Sequence, residues 1–249
     1  MPAPTPVETF RALHDRSGRS GRSGPLVLPN VWDAVSARAF AAAGFPALAT
    51  SSSAVAAVLG YDDGGLTPAD EMVAAVTRII RSVDVPVTVD FESGYGLPPE
   101  EVAERLLEAG AVGCNLEDTD HSRGQLRDPG EQADFLAAVR AAAGDGLVLN
   151  ARVDTFLHGD ADAGAAIDRA KRYVEAGVEV VYPILAPVGL LPELAGAVTV
   201  PLNALHRPGG PDPAALGRLG AARVTFGGGL HDQATAALAD IVRSTPTAG

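Results

Sequence analysis

Short apolar runs, rich in β-branched residues, recur near 26–29, 47–50, 86–90, 112–116, 147–150, 179–182, 198–202 and 223–226. Between them lie alanine-rich stretches with helical patterning, near 32–43, 68–82, 98–109, 130–143, 161–176, 188–196, 213–219 and 230–243. The apolar runs read as buried strands and the longer stretches as helices. Eight strand–helix units with no long break in composition predict a single α/β domain over 1–249, a (β/α)8 TIM barrel. A doubly wound sheet is the competing arrangement, but eight uninterrupted units suit closure better. Ala43-Gly44, Ala109-Gly110 and Ala176-Gly177 each close a helix before a strand, at intervals of about two βα units. Ahead of the barrel, residues 1–24 carry an amphipathic helical piece, Val7 to His14, and a flexible Arg/Ser/Gly connector from Arg16 to Gly24.

Composition narrows the classes. At 47% hydrophobic the chain can bury a full core, yet it has no apolar run of transmembrane length, and its first residues are not a signal peptide. A formal charge of −12 argues against nucleic acid or an anionic membrane as partner. The single cysteine, Cys114, excludes an internal disulfide and suits a cytoplasmic location. Lys171 is the only lysine, and it falls inside the helix at 161–176 between Arg169 and Arg172, on the expected outer ring. That placement points away from a Schiff-base aldolase.

In such barrels the active site lies where strands end. The third strand ends in Asp90 and Glu92, followed by the turn Ser93-Gly-Tyr-Gly96; on a strand, Thr88, Asp90 and Glu92 share one face. The fourth ends with Asn115 and Glu117 in phase, the fifth with Asn150, Arg152 and Asp154, the seventh at Asn203 and the eighth at Gly227-Gly-Gly229. The second ends in Thr50-Ser-Ser-Ser53 and leads to a loop containing Asp62 and Asp63. Asp90, Glu92 and Glu117 would repel one another unless a cation sits among them, and an oxygen-only donor set favours Mg2+ or Mn2+ over zinc. The alternative is that Arg152 pairs with these acids as a structural network. Asp33 is read as the cap of the first helix. His121, on the loop after the fourth strand, is a candidate general acid or an exposed loop histidine, and His158, His206 and His231 also follow strands. The triple glycine is either an anion cradle or a tight turn.

Three motifs, Val89-Asp-Phe-Glu-Ser-Gly-Tyr-Gly96, Asn115-Leu-Glu-Asp118 and Ala151-Arg-Val-Asp154, stand in order at consistent spacing. From Leu26 onward the chain resembles the phosphoenolpyruvate mutase / isocitrate lyase superfamily. The resemblance implies a Mg2+-dependent homotetramer or homodimer, often with its last helix swapped between subunits. It further implies that Asp90 binds the metal directly while Glu92 and Glu117 hold it through waters. Asp63 would contact metal waters or the reacting group, Ser51, Ser52 and Ser53 would bind a pyruvyl carboxylate, Arg152 would clamp the substrate, and Asn203 would touch it. Two specialised signatures are missing: the lyases' K-[KR]-C-G-H is replaced by His121-Ser-Arg-Gly124, and the phosphonomutases' E-D-K-x5-N-S by Glu117-Asp118-Thr119. The expected activity is therefore a lyase or decarboxylase acting on a small 2-oxo or 2-hydroxy dicarboxylate, such as oxaloacetate or a methylisocitrate-like acid, through a pyruvate enolate. The alternatives are a C–P bond enzyme of the phosphonopyruvate hydrolase or carboxyphosphonoenolpyruvate mutase type, and a non-catalytic metabolite-binding barrel.

Overall fold

Eight short parallel strands close on themselves in a computed structural model that describes residues 3–14 and 24–246. In chain order they are β1 (Leu26–Val27, resuming at Asn30–Val31), β2 (Leu48–Thr50), β3 (Val87–Asp90), β4 (Gly113–Glu117), β5 (Val148–Val153), β6 (Val180–Pro183), β7 (Asn203–Leu205) and β8 (Arg223–Thr225). Strands β1 to β6 pair in sequence, β7 pairs with β8, and β8 pairs with β1. A bridge between Val181 and Leu202 joins β6 to β7 and completes the ring. Strand β1 falls into two segments because Pro29 has no N–H to donate. Its carbonyl still accepts from Ala49 N, and Leu28 N donates to Val224 O, so pairing runs on through the gap. The predicted TIM barrel is the fold.

The helices are α1 (Pro6–Leu13), α2 (Ala34–Ala42), α3 (Ser52–Leu59), α4 (Ala69–Ile80), α5 (Pro99–Glu108), α6 (Pro129–Ala143), α7 (Ala163–Glu175), α8 (Leu191–Ala197), α9 (Pro213–Arg218) and α10 (Gly229–Ser244). Helix α1 packs at the end of the barrel away from the site. Its Phe10 is fully buried among Leu26, Leu28, Ala47, Ala49, Val112, Val148 and Val180. A larger apolar cluster, including Val76, Leu106, Leu136 and Tyr173, fills the space between the sheet and the outer helices. Asp33 caps α2: its carboxylate accepts from Ser36 N at 2.7 Å, and Ser36 Oγ accepts from Asp33 N at 3.1 Å. Among the described residues, no helix is long and apolar enough to cross a membrane.

Three local features differ from the sequence expectation. Pairing of the seventh strand begins at Leu202, not at 198, because Pro201 cannot donate and the β-branched residues before it form only a lead-in. Ser52–Leu59, expected as strand end and loop, is a helix of small residues stopped by Gly60 in the left-handed region (φ 88°). After β4, Thr119–Asp120 and Gln125–Leu126 form an antiparallel hairpin that brings His121 back toward the barrel mouth. The connector expected at 16–24 lies, apart from Gly24, outside the described residues.

Candidate active site

Strand register sets the polar residues in rows. Asp90, Asn115 and Asn150 pair laterally across β3, β4 and β5, and one step further along Glu117 pairs with Arg152 and Arg152 with Tyr182. The Asp90 carboxylate takes two bonds at one oxygen, from Ser52 N at 3.1 Å and Ser52 Oγ at 2.9 Å, and faces Asn115 Nδ2 at 3.4 Å with the other. Asn115 Oδ1 in turn accepts from Asn150 Nδ2 at 2.7 Å. Asp90, Ser52 and Asn115 lie on the floor and near wall of a cavity of about 600 Å3 at the strands' C-terminal ends. It is lined also by Ser51, Ser53, Asp63, Arg152, Tyr182, Thr225 and the Gly227–Gly229 turn.

Glu92 arrives by another route than the alternation of a strand. Strand β3 stops at Asp90, and Glu92 adopts φ 45°, with Gly94 and Gly96 also at positive φ in the turn that follows. A left-handed non-glycine residue costs conformational energy and persists where its surroundings hold it. Here the holding contact is Tyr95 OH, which donates to Glu92 Oε1 at 2.7 Å. Burial pushes the Glu92 carboxyl up to about 7, against the Tyr95 hydrogen bond, and the nearby Asp63 and Glu117 add to the rise.

Two basic side chains sit among the acids. Arg152 gives Nε and Nη2 to Asp154 in a fork, at 2.7 and 2.8 Å, and reaches Glu117 Oε2 with Nη1 at 2.6 Å. Its guanidinium is held well above the usual arginine range: burial opposes the charge, but Glu117 and Asp154 outweigh it. His121 Nε2 bonds Glu117 Oε1 and lies 3.6 Å from Glu92 Oε2. The Glu117 bond raises the imidazole pKa against partial burial. Gly65, at φ 77° in the region that favours glycine, carries the loop holding Asp63 over this pair, where a Cβ would make only ordinary contact with His121 and Glu92. Arg152 thus pairs with Glu117, as the network alternative has it, and His121 adds a second partner to the same carboxylate. Behind them Asp154 accepts from Thr119 Oγ1, and its N–H donates to Asp118, which is anchored by Tyr173 OH and Arg169.

The donor set fits a divalent cation. Single ligand atoms of Glu92, Glu117 and His121 lie within 4.8 Å of one another. Glu92 Oε2 is buried and has no hydrogen-bond partner among the described residues, an orphaned acceptor that a cation satisfies. Asp90 adjoins this trio across the cavity floor, with Ser52 and Asn115 at its oxygens. A nitrogen donor thus joins what was read as an oxygen-only set.

The remaining expected residues divide. Ser51, Ser52 and Ser53 line the cavity where α3 begins, and Asp63 stands at its rim. Asn203 does not reach it: the side chain is fully buried and bonded to Thr225 Oγ1 at 3.0 Å, so the expected substrate contact at Asn203 is replaced by support of Thr225. His206 lies in the wall, whereas His158 bonds Thr119 Oγ1 and His231 packs edge-on against Trp32. Cys114 is buried on the sheet's outer side, where burial pushes the thiol up to about 12. The sequence reading passed over Asn30, whose Oδ1 accepts from Phe226 N and Gly227 N and so ties β1 to the glycine turn. It also passed over Tyr182 and Arg223; a tyrosine and an arginine at inward positions of apolar runs were the available signal.

A pH dependence follows for EDTA-treated protein. Glu92 holds its proton to about 7 when folded, against an ordinary value of 4.5, so the folded chain binds more protons across that window and stability falls as pH rises through it. The His121 pairing is complete below its unfolded pKa and is lost as pH climbs through its raised folded value, which has the same sign. The urea midpoint is expected to fall between about pH 5 and pH 8, and Glu92→Gln to flatten the lower part of that slope.

Barrel enzymes build their active sites at the C-terminal mouth, where this chain gathers carboxylates, a clamped arginine and a helix N-terminus. The chain is a member of the phosphoenolpyruvate phosphomutase family, whose model matches residues 10–245. An uncharacterized protein of Mycobacterium tuberculosis is 36% identical over 236 residues, 90% of each chain. The 2-methylisocitrate lyase of Escherichia coli is 30% identical over 213 residues, 80% of this chain and 69% of the lyase. A crystal structure of a candidate phosphonomutase from Burkholderia cenocepacia superposes with a TM-score of 0.85 at 42% identity, covering 96% of this chain and 99% of the other. The relatives thus include lyases and mutases.

Proposed function

We propose that the chain is a divalent-metal-dependent lyase or decarboxylase that forms the enolate of pyruvate from a small 2-oxo or 2-hydroxy dicarboxylate, of which oxaloacetate is the simplest. One observation carries this reading: the start of α3, the Arg152 guanidinium and the Asp90 carboxylate line one cavity sized for a small acid. The first N–H groups of a helix lack intrahelical acceptors, and Ser52 N is already given to Asp90. The following N–H groups at the start of α3, beginning at Ser53 in the cavity wall, would hold a substrate carboxylate. A substrate anion competes with Glu117 for Arg152 Nη1, while the Asp154 fork keeps the guanidinium plane fixed. A cation held by Glu92, Glu117 and His121, with Asp90 adjoining, would stabilise charge developing on the 2-oxo oxygen. Loss of CO2 from oxaloacetate leaves the enolate, and a proton taken up from solvent at its carbon yields pyruvate; His121, engaged with the cation through Nε2, is not the acid in this reading.

Coupled detection of pyruvate tests this. Release from oxaloacetate in Mg2+, above the metal-catalysed background and lost with EDTA, is the expected result; a rate no higher than Mg2+ alone, for every small 2-oxo and 2-hydroxy dicarboxylate tried, rejects the activity.

The 42% identity to a candidate phosphonomutase favours a second reading, cleavage or rearrangement at a C–P bond. Phosphorus NMR of phosphonopyruvate incubated with the protein separates the two. Self-association is part of the first reading: α10 buries none of its side chains and exposes Leu238, Ile241 and Val242, a face suited to a second copy of the chain. Sedimentation equilibrium is expected to return a dimer or tetramer.

A further inference from the structure

An arginine on a barrel strand is normally found with its charge in water or against a carboxylate. Arg223, the first residue of β8, has neither. It is the largest fully buried side chain among the described residues, with no solvent exposure. Nε and Nη1 have no hydrogen-bond partner among the described residues, and Nη2 donates to Asn115 Oδ1 at 3.3 Å. Burial pulls its pKa down to about 10, so the group is a cation at neutral pH. Such a charge costs folding energy that a methionine of similar length avoids. Its surroundings give it a use. Asn115 Oδ1 accepts from Arg223 and, at 2.7 Å, from Asn150 Nδ2. With two donors on the oxygen, the amide's nitrogen must face the other way, where Asp90 Oδ1 lies at 3.4 Å. Asn115 and Asp90 both line the cavity; Arg223 does not.

We propose that Arg223 is a positioning residue: from beneath the floor it locks the Asn115 amide toward Asp90 and supplies a fixed positive charge that favours a bound dianion. This rests on the reading of the cavity as a 2-oxo acid site, and it adds what makes an acid-rich pocket hospitable to an anion. Groups that support a site from behind change affinity by about 10- to 100-fold when removed.

The test is calorimetric titration of oxalate into the Mg2+-loaded full chain and its Arg223→Met and Arg223→Lys variants, with thermal unfolding of each. Arg223→Met is expected to unfold at the same or a higher temperature yet bind oxalate at least about tenfold more weakly. Arg223→Lys, which keeps the charge, should recover most of that loss. In an Asn115→Ala background, Arg223→Met should cost less than it does alone, because the part carried through the amide is already lost. Binding by Arg223→Met within about twofold of the unaltered chain, failure of that variant to fold, no rescue by lysine, or additive losses with Asn115→Ala each overturns the proposal. No oxalate binding by the unaltered chain removes the reading of the site and this inference with it, whereas undiminished binding by Arg223→Met removes this inference alone.

Discussion

Arg152→Ala is expected to abolish pyruvate release and to lower folding stability by about 3–5 kcal/mol, the usual cost of stranding a buried ionic partner. Two partners are stranded here, since Asp154 loses its fork and Glu117 its ion pair. Asp154 keeps Thr119 and Glu117 keeps His121, so the chain should still fold in mild conditions. Arg152→Lys separates the two effects. It retains a charge near both acids but cannot form the planar fork, so most of the stability should return while turnover stays down by about 100-fold or more. Urea unfolding and the pyruvate assay on both variants check this. Full activity in Arg152→Lys would reduce Arg152 to a structural counter-ion.

Asp90→Asn is expected to remove activity with little loss of fold. The asparagine oxygen can still accept from Ser52 N and Oγ, so the contact between β3 and α3 survives while the negative charge does not. Turnover is expected to fall by about 1000-fold, and the concentration of Mn2+ needed to perturb the protein's fluorescence to rise. Wild-type turnover in Asp90→Asn would contradict a role for that carboxylate beyond holding Ser52.

What could be read in the sequence, and what could not, follows from how far each signal reaches. The barrel was legible because a strand buried on both faces leaves a continuous apolar run, and eight such runs alternated with helical patterning. Asp90, Asn115, Glu117, Asn150 and Arg152 were legible as polar residues in phase on neighbouring strands, and the lateral register does set them in rows. Glu92 was assigned to the right neighbourhood by the wrong rule, because alternation ends at Asp90 and a left-handed turn carries the side chain in. His121 joins Glu92 and Glu117 only through the 119–126 hairpin, whose short polar strands carry no apolar period. Asn203 pointed to the opposite error. A polar residue at a strand end was expected to face the cavity, but the strand begins there rather than ending, which leaves its amide one layer below, under Thr225. Arg223 was hidden by the rule that interior positions are apolar, so a charge inside an apolar run had no place in the expected pattern.

The proposed function rests on binding of the pyruvate enolate and its analogues in the cavity with the help of a divalent cation. Oxalate resembles that enolate in size and charge and cannot turn over, so its binding does not depend on knowing the substrate's distal half. Calorimetric titration of oxalate into the protein, first with Mg2+ and then with EDTA, is predicted to give saturable binding of one oxalate per chain in Mg2+ and none in EDTA; no heat of binding in Mg2+, or equal binding in EDTA, contradicts the account.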